Sequence, residues 1–225
     1  MKQRPMFIGH IAVGFASKRL APKASLGVLM AAPMALDLLW PLFLLAGWEQ
    51  VRIDPGNTAF TPLDFVSYPY SHSLAMSAVW AALFAGIYWA VTHYAPGAWA
   101  IAMGVVSHWV LDFVTHRPDL PLYPGGATRL GLGLWNSVAG TIAVESVMFV
   151  VSVWIYASIT QPRDRIGSYG FWVFVTLMAI SYFANAFGSP PPSAEFLARF
   201  SLGIWLIPLW TWWFDRHREA RFASP

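Results

Sequence analysis

The sequence predicts an all-α protein, a polytopic membrane helix bundle of about six transmembrane helices plus a short amino-terminal helix. Three observations predict it. The 225 residues are 57% hydrophobic and only 11% charged, about half the charge of an ordinary soluble domain, so the surplus apolar surface needs a lipid solvent. Residues 25–48, 72–93, 97–116, 133–160, 169–187 and 196–214 form apolar runs, each near the roughly 20 residues that cross a hydrocarbon core. Backbone groups in lipid must be satisfied within their own segment, which makes these runs helices. The 13 Trp residues fit the aromatic belts of a bilayer interface, and the ending WTWWFDRHREAR reads as such a belt followed by a basic tail.

Taken in order, residues 6–17 are too short for an ordinary span and read as a helix dipping into the bundle from the outer side. PMFIGHIAVGFA carries a His in its apolar stretch and has no small-residue cleavage site, so it is expected to stay in the mature protein. Lys18, Arg19 and Lys23 precede the first long run, Arg163 and Arg165 follow the fourth, and Arg216, Arg218 and Arg221 follow the sixth. With six spans these groups share one face, expected to be cytoplasmic, while Lys2 and Arg4 stay ambiguous. The formal charge of +3 therefore reports topology and not nucleic-acid binding. The opposite face receives residues 49–71, 117–132 and the GSPPPSAE loop. The first two are long, rich in Pro, Gly and aromatic residues, and suited to lying on the membrane surface as a roof. No internal repeat or linker divides the chain. Residues 1–225 form a single integral membrane domain, in which 1–160 hold the polar residues of interest and 161–225 add two spans and the basic tail.

Ionisable groups inside spans are expensive and usually face a bundle interior or a watery site. Here they are His10, Asp37, His72, His108, Asp112, His116 and Glu145. At about 1.5 Å per residue their heights overlap in the outer half of the bilayer. In SHWVLDFVTH, His108, Asp112 and His116 share one helix face, and neighbours four apart can hold one ion. The two outer histidines, about 12 Å apart along the axis, do not share one. If all three were ligands, Asp112 would bridge two metals. With no cysteine in the chain, the donors are imidazole and carboxylate, which favours Zn²⁺, with Mn²⁺ or Fe²⁺ as alternatives. A lone intramembrane His is more often a hydrogen-bonding residue than a ligand. Four of them with three carboxylates, and hardly any Lys or Arg to neutralise the set, favour a cation. His93 and His217 at span ends receive no role, and Asp64, Asp119 and Arg117 read as solvated loop charges.

The order His10, Asp37, SHS at 71–73, SHWVLD at 107–112 and a downstream acid resembles the YdjM-like membrane-bound metal-dependent hydrolases of bacteria, over residues 8 to 146. The ligand order is also similar to the soluble zinc-dependent phospholipase C and nuclease group. The spacing HxxxDxxxH is tighter than in those soluble enzymes, and a second His near Glu145 is missing. The resemblance implies one to three zinc ions, a bridging Asp112, and hydrolysis of a phosphoester or another ester in the bacterial inner membrane. Asp37 or Glu145 would be the general base if not a ligand, and Arg117, Trp135 and Asn136 would hold a head group. A site at this depth under aromatic loops implies a lipid or lipid-linked substrate. Three other readings compete. The pocket could carry divalent cations or protons, although transporters commonly contain repeats. A haem would need two facing histidines and would leave Asp112 unused. A non-catalytic metal-binding protein would need the ligands alone.

Overall fold

A computed structural model of the chain describes residues 8–221; Lys2 and Arg4 lie outside the described residues. Four helices are each long and apolar enough to cross a membrane: α5 (Leu74–Thr92), α6 (Ala95–Thr115), α7 (Val138–Ile159) and α8 (Arg165–Phe187). Their outward surfaces are apolar. Within the most apolar stretch of α5, of mean hydropathy 1.8, only 11% of the residues are buried in the protein, and Val79, Leu83, Ile87 and Val91 face outward. Such a surface is stable only in an apolar solvent. The amino-terminal helix α1 (Ile8–Ser17) is, by contrast, buried along most of its length and packs on α7. Phe15, fully buried, meets Phe149, Tyr156, Phe171 and Phe174 at the centre of the core.

Two of the six apolar runs are not single helices. Residues 25–48 divide into α2 (Leu26–Ala31) and α3 (Ala35–Leu45), separated by a turn at 32–34 that contains Pro33. Proline lacks the N–H that would continue the helix and crowds the preceding turn. Pro41 inside α3 likewise removes the N–H that would bond the carbonyl of Asp37. The last run divides into α9 (Ala194–Ser201), a 3₁₀ segment at Leu202–Trp205, and α10 (Leu206–Asp215).

Both divided runs still connect the same two ends of the bundle. At one end β5 (Thr160–Pro162) pairs antiparallel with β6 (Arg218–Ala220). Lys18 Nζ bonds Asp215 Oδ2 at 2.7 Å, and the Leu26 N–H at the start of α2 donates to the same oxygen at 2.8 Å. The three basic segments are thereby gathered at one end, with Arg218 stacked over Phe171 and Tyr156. Burial lowers the pKa of Arg218 somewhat, an effect its neighbours Tyr156 and Asp215 oppose.

At the other end the hairpin β1 (Gln50–Ile53) and β2 (Leu63–Ser67), the short helix α4 (Pro69–His72), and the strands β3 (Leu120–Pro121) and β4 (Arg129–Leu130) build the roof. Gly47, at φ +73°, ends α3 with a left-handed turn open to glycine and sends the chain back under the roof. These ribbons are the only strands among the described residues, and none was expected from the hydropathy pattern.

Candidate metal centre

Each polar side chain reaches the roofed end by a local device. Gly104 of α6 sits directly on the α2–α3 break, where a Cβ would approach Ala32 Cβ to 3.0 Å and Pro33 Cδ to 3.2 Å. That contact brings His108, one turn further along α6, against the break, and its Nδ1–H donates to the Pro33 carbonyl at 2.7 Å. α4 ends at His72 because Ser73 turns to extended backbone and caps α5, accepting the Met76 N–H. α6 ends at Thr115, since the residue before Pro118 disfavours helix. His116 therefore leaves the helix as its cap and turns its ring back toward Asp112.

The side chains converge. Asp112 Oδ1 lies 3.4 Å from His10 Nε2, and Oδ2 lies 3.2 Å from His108 Nε2, 3.8 Å from His72 Nε2 and 4.0 Å from His116 Nε2. Asp37 Oδ1 lies 3.6 Å from His72 Nε2 and 4.0 Å from His108 Nε2. Two groups of three have donor atoms all within 4.8 Å of one another, His10 with His108 and Asp112, and Asp37 with His72 and His108. The His10 and His108 rings stack at 3.8 Å, 3° from parallel. Every member is buried except Asp37, whose side chain is 22% exposed.

The orientation of the imidazoles decides what this cluster can do. His108 Nδ1 is bonded to the Pro33 carbonyl, His116 Nδ1 lies 2.9 Å from Asp119 Oδ1, and His72 Nδ1 lies 2.6 Å from Ser71 Oγ. Carbonyl and carboxylate oxygens only accept, so His108 and His116 carry the proton on Nδ1. Ser71 Oγ donates to Glu49 Oε2 at 2.6 Å, so its lone pair meets His72 Nδ1 in the same sense. Three rings thus present Nε2 to Asp112, each held from behind by an oxygen, the arrangement that orients metal-binding histidines. Among the described residues no Lys or Arg pairs with Asp37 or Asp112. The buried Asp112 and the partly buried Asp37 need compensation by cations or protons. Each of the two groups of three could hold a metal ion.

His116 stands at the outer edge, in neither group of three, inside a box of Phe65, Tyr68 and Trp135 with ring centroids 4.8, 5.9 and 4.2 Å away. Burial, then the neighbouring Asp119, push the Tyr68 hydroxyl well above its ordinary pKa, so it stays a donor to Asp119 Oδ1 at 2.7 Å. Glu145 is fully buried but belongs to neither group; it lies within electrostatic range of Tyr182. Arg117 is held by Asp64 at 2.7 Å and Asp119 at 3.2 Å, with 39% of its side chain exposed. Trp135 is buried, and Asn136, beside it on the 3₁₀ turn at Leu134–Asn136, is exposed.

Sequence reasoning passed over Glu49 and the Pro33 carbonyl, and gave Ser71 of the SHS stretch no role of its own. Asp119 and Asp64 are not the solvated loop charges expected, since both are engaged in the roof. The one available signal was Pro33 in the middle of an apolar run, a break that frees backbone acceptors. Comparison with known proteins finds no matching family model, no matching curated protein and no matching solved structure. Fold and site define the class: a helical chain with four helices long and apolar enough to cross a membrane and a largely buried His/Asp cluster under a roof of loops and short strands.

Proposed function

We propose that this chain is a multi-pass protein of the bacterial cytoplasmic membrane that hydrolyses a phosphoester or other ester in a lipid or lipid-linked substrate. A divalent metal would be held by His10, Asp37, His72, His108 and Asp112, with His116 at the rim. One observation carries the reading, the convergence of Nε2 atoms from rings anchored at Nδ1 on two carboxylates without Lys or Arg. Zn²⁺ is the first ion to test, with Mn²⁺ and Fe²⁺ beside it. When bound, such an ion acidifies water toward neutrality and neutralises charge on substrate oxygens.

The chain supplies the rest. Asp37 is the one partly exposed member of the cluster, and if it is not a ligand its carboxylate would accept the proton of an attacking water. Glu145, the alternative base, lies outside both groups. Asn136 and the exposed part of Arg117 at the outer end are placed to meet a head group, while Trp135 supports His116. The divided runs α2–α3 and α9–α10 would cross the membrane with the four long helices, giving six crossings with the basic end in the cytoplasm.

The test is metal content of the purified protein, together with release of phosphate or head group from mixed lipids. Metal-dependent release supports the hydrolase. A metal-loaded protein that cleaves no ester while moving cations across a vesicle bilayer would overturn it in favour of transport.

A further inference from the structure

Glu49 is 2% exposed, two residues beyond the turn that ends α3, and no part of the proposed chemistry uses it. Its Oε1 accepts the N–H groups of Tyr70 and Ser71, each at 2.8 Å. Its Oε2 accepts the Ser71 hydroxyl at 2.6 Å. All three bonds run toward Glu49, whose carboxylate oxygens accept. The Ser71 proton is therefore committed to Glu49, and Ser71 Oγ can meet His72 Nδ1, 2.6 Å away, only as an acceptor. A neutral His72 ring then carries its proton on Nδ1. Nε2 is left bare toward Asp37, Asp112 and His108, the last 3.2 Å away nitrogen to nitrogen. The order acid, hydroxyl, imidazole is not that of a hydrolytic triad, where the imidazole stands between the other two and activates the hydroxyl. Ser71 is fully buried and its proton points away from the ring.

We infer that Glu49 and Ser71 are positioning residues that fix the tautomer and aim of His72, so that a carboxylate outside the cluster sets the affinity of the site for a divalent cation. The inference rests on the metal-site reading and adds to it a cause acting two bonds away. It makes an uncommon prediction for a nearly isosteric change. In Glu49→Gln the amide oxygen keeps the two backbone N–H groups, and the NH₂ replaces Oε2 opposite Ser71. The amide then donates to Ser71 Oγ, the hydroxyl turns to donate to His72 Nδ1, and the proton of the ring is driven to Nε2. The chain of hydrogen bonds is intact but reversed, and the ring presents a donor where a ligand is needed.

The experiment uses the full-length protein in detergent or lipid, labelled with ¹⁵N-histidine, with His72 assigned by its loss in His72→Asn. Expected for the wild type is a protonated Nδ1 and an unprotonated Nε2 in the Zn²⁺-loaded protein, with Nδ1 still protonated when the metal is removed. Glu49→Gln and Ser71→Ala should weaken Zn²⁺ binding about 10–100-fold, the usual consequence of losing an outer partner of a metal-binding histidine. Glu49→Gln should also lose the Nδ1 proton in the metal-free state, while Ser71→Thr, which keeps the hydroxyl, restores both readings. Helical circular dichroism reports folding, and if Glu49→Gln fails to fold, the Ser71→Ala and Ser71→Thr pair decides. Zn²⁺ affinity within about threefold of wild type in the folded variants, against the larger loss expected, would overturn the inference and leave the metal site standing. A wild type that takes up no Zn²⁺ while His72 keeps its Nδ1 proton would sink the metal site and leave the relay.

Discussion

Asp112 carries the most of any single residue, because its two oxygens face different partners, Oδ1 toward His10 and Oδ2 toward three other imidazoles. Asp112→Asn keeps the shape but removes the negative charge and replaces one carboxylate oxygen with an NH₂, which has no lone pair to offer a cation. Metal content of the purified variant, measured by elemental analysis, should fall to background, and ester hydrolysis should fall at least about 100-fold, as expected when charge compensation at a metal site is removed. The folded yield should change little, since the amide keeps the volume. Asp37→Asn separates two roles for the partly exposed carboxylate. Loss of metal makes it a ligand, and loss of turnover with metal retained makes it the proton acceptor alone. At this scale the sequence was informative where charge was out of place. His10, Asp37, His72, His108 and Asp112 stand out because each is costly in an apolar run. Glu49 and Asp119 sit just outside those runs, where charges are ordinary, so nothing in the one-dimensional pattern separates them from solvated residues.

Among the elements, the α2–α3 break does what a continuous span would not. It offers the Pro33 carbonyl to His108 and accepts α6 at Gly104. Gly104→Val would drive methyls into Ala32 and Pro33, at a cost of about 1–3 kcal/mol for overpacking. It should lower both thermal stability and Zn²⁺ affinity, because α6 cannot back away without pulling His108 off its carbonyl. Gly86→Val, on the open face of α5 with nothing within 4 Å of its Cβ position, is the control and should leave metal binding unchanged. A melting curve and a metal titration on the two variants check this. Run length made the helices legible, but it could not separate one long helix from two joined at a proline. The β5–β6 ribbon was invisible for a different reason, since its strands are three residues each and are held by pairing across the sequence, not by local preference. At the same end Asp164 caps α8, accepting the Gly167 N–H at 2.9 Å and lying 2.6 Å from His217 Nδ1. The capped N–H, then His217, hold its carboxyl below the ordinary value of 3.8. A depressed carboxylate stabilises the fold above its unfolded pKa and loses that contribution as pH falls through the folded one. The thermal midpoint should therefore drop as pH is lowered below about 4. Asp164→Asn should flatten part of that drop, by a small amount that salt reduces, as for any exposed pair.

For the whole molecule, the decisive question is which end meets the cytoplasm, and the absence of cysteine from the sequence makes it directly measurable. Lys18, the β5–β6 ribbon and the basic tail are joined at one end, while the roof over the metal cluster occupies the other. The excess of Lys and Arg at the first end predicts a cytoplasmic location for it. Single cysteines are placed at Tyr123 and Asn57 in the roof, at Pro190 before α9, and at Arg163 and His93 at the opposite end. In intact cells a membrane-impermeant maleimide should label Cys at 123, 57 and 190, and should reach 163 and 93 only after the membrane is opened. Label at 190 together with protection at 93 and 163 counts crossings as well as orientation, because α9–α10 must then traverse the membrane to bring the tail to β5. Pro190 protected while Tyr123 is labelled would remove the last crossing, and a full reversal of the pattern would put the roofed end in the cytoplasm. The result also selects the substrate pool. If the roof lies outside and the proposed hydrolase reading holds, esters accessible from the outer leaflet should be cleaved in sealed right-side-out vesicles, and the same lipids confined to the inner leaflet should be spared.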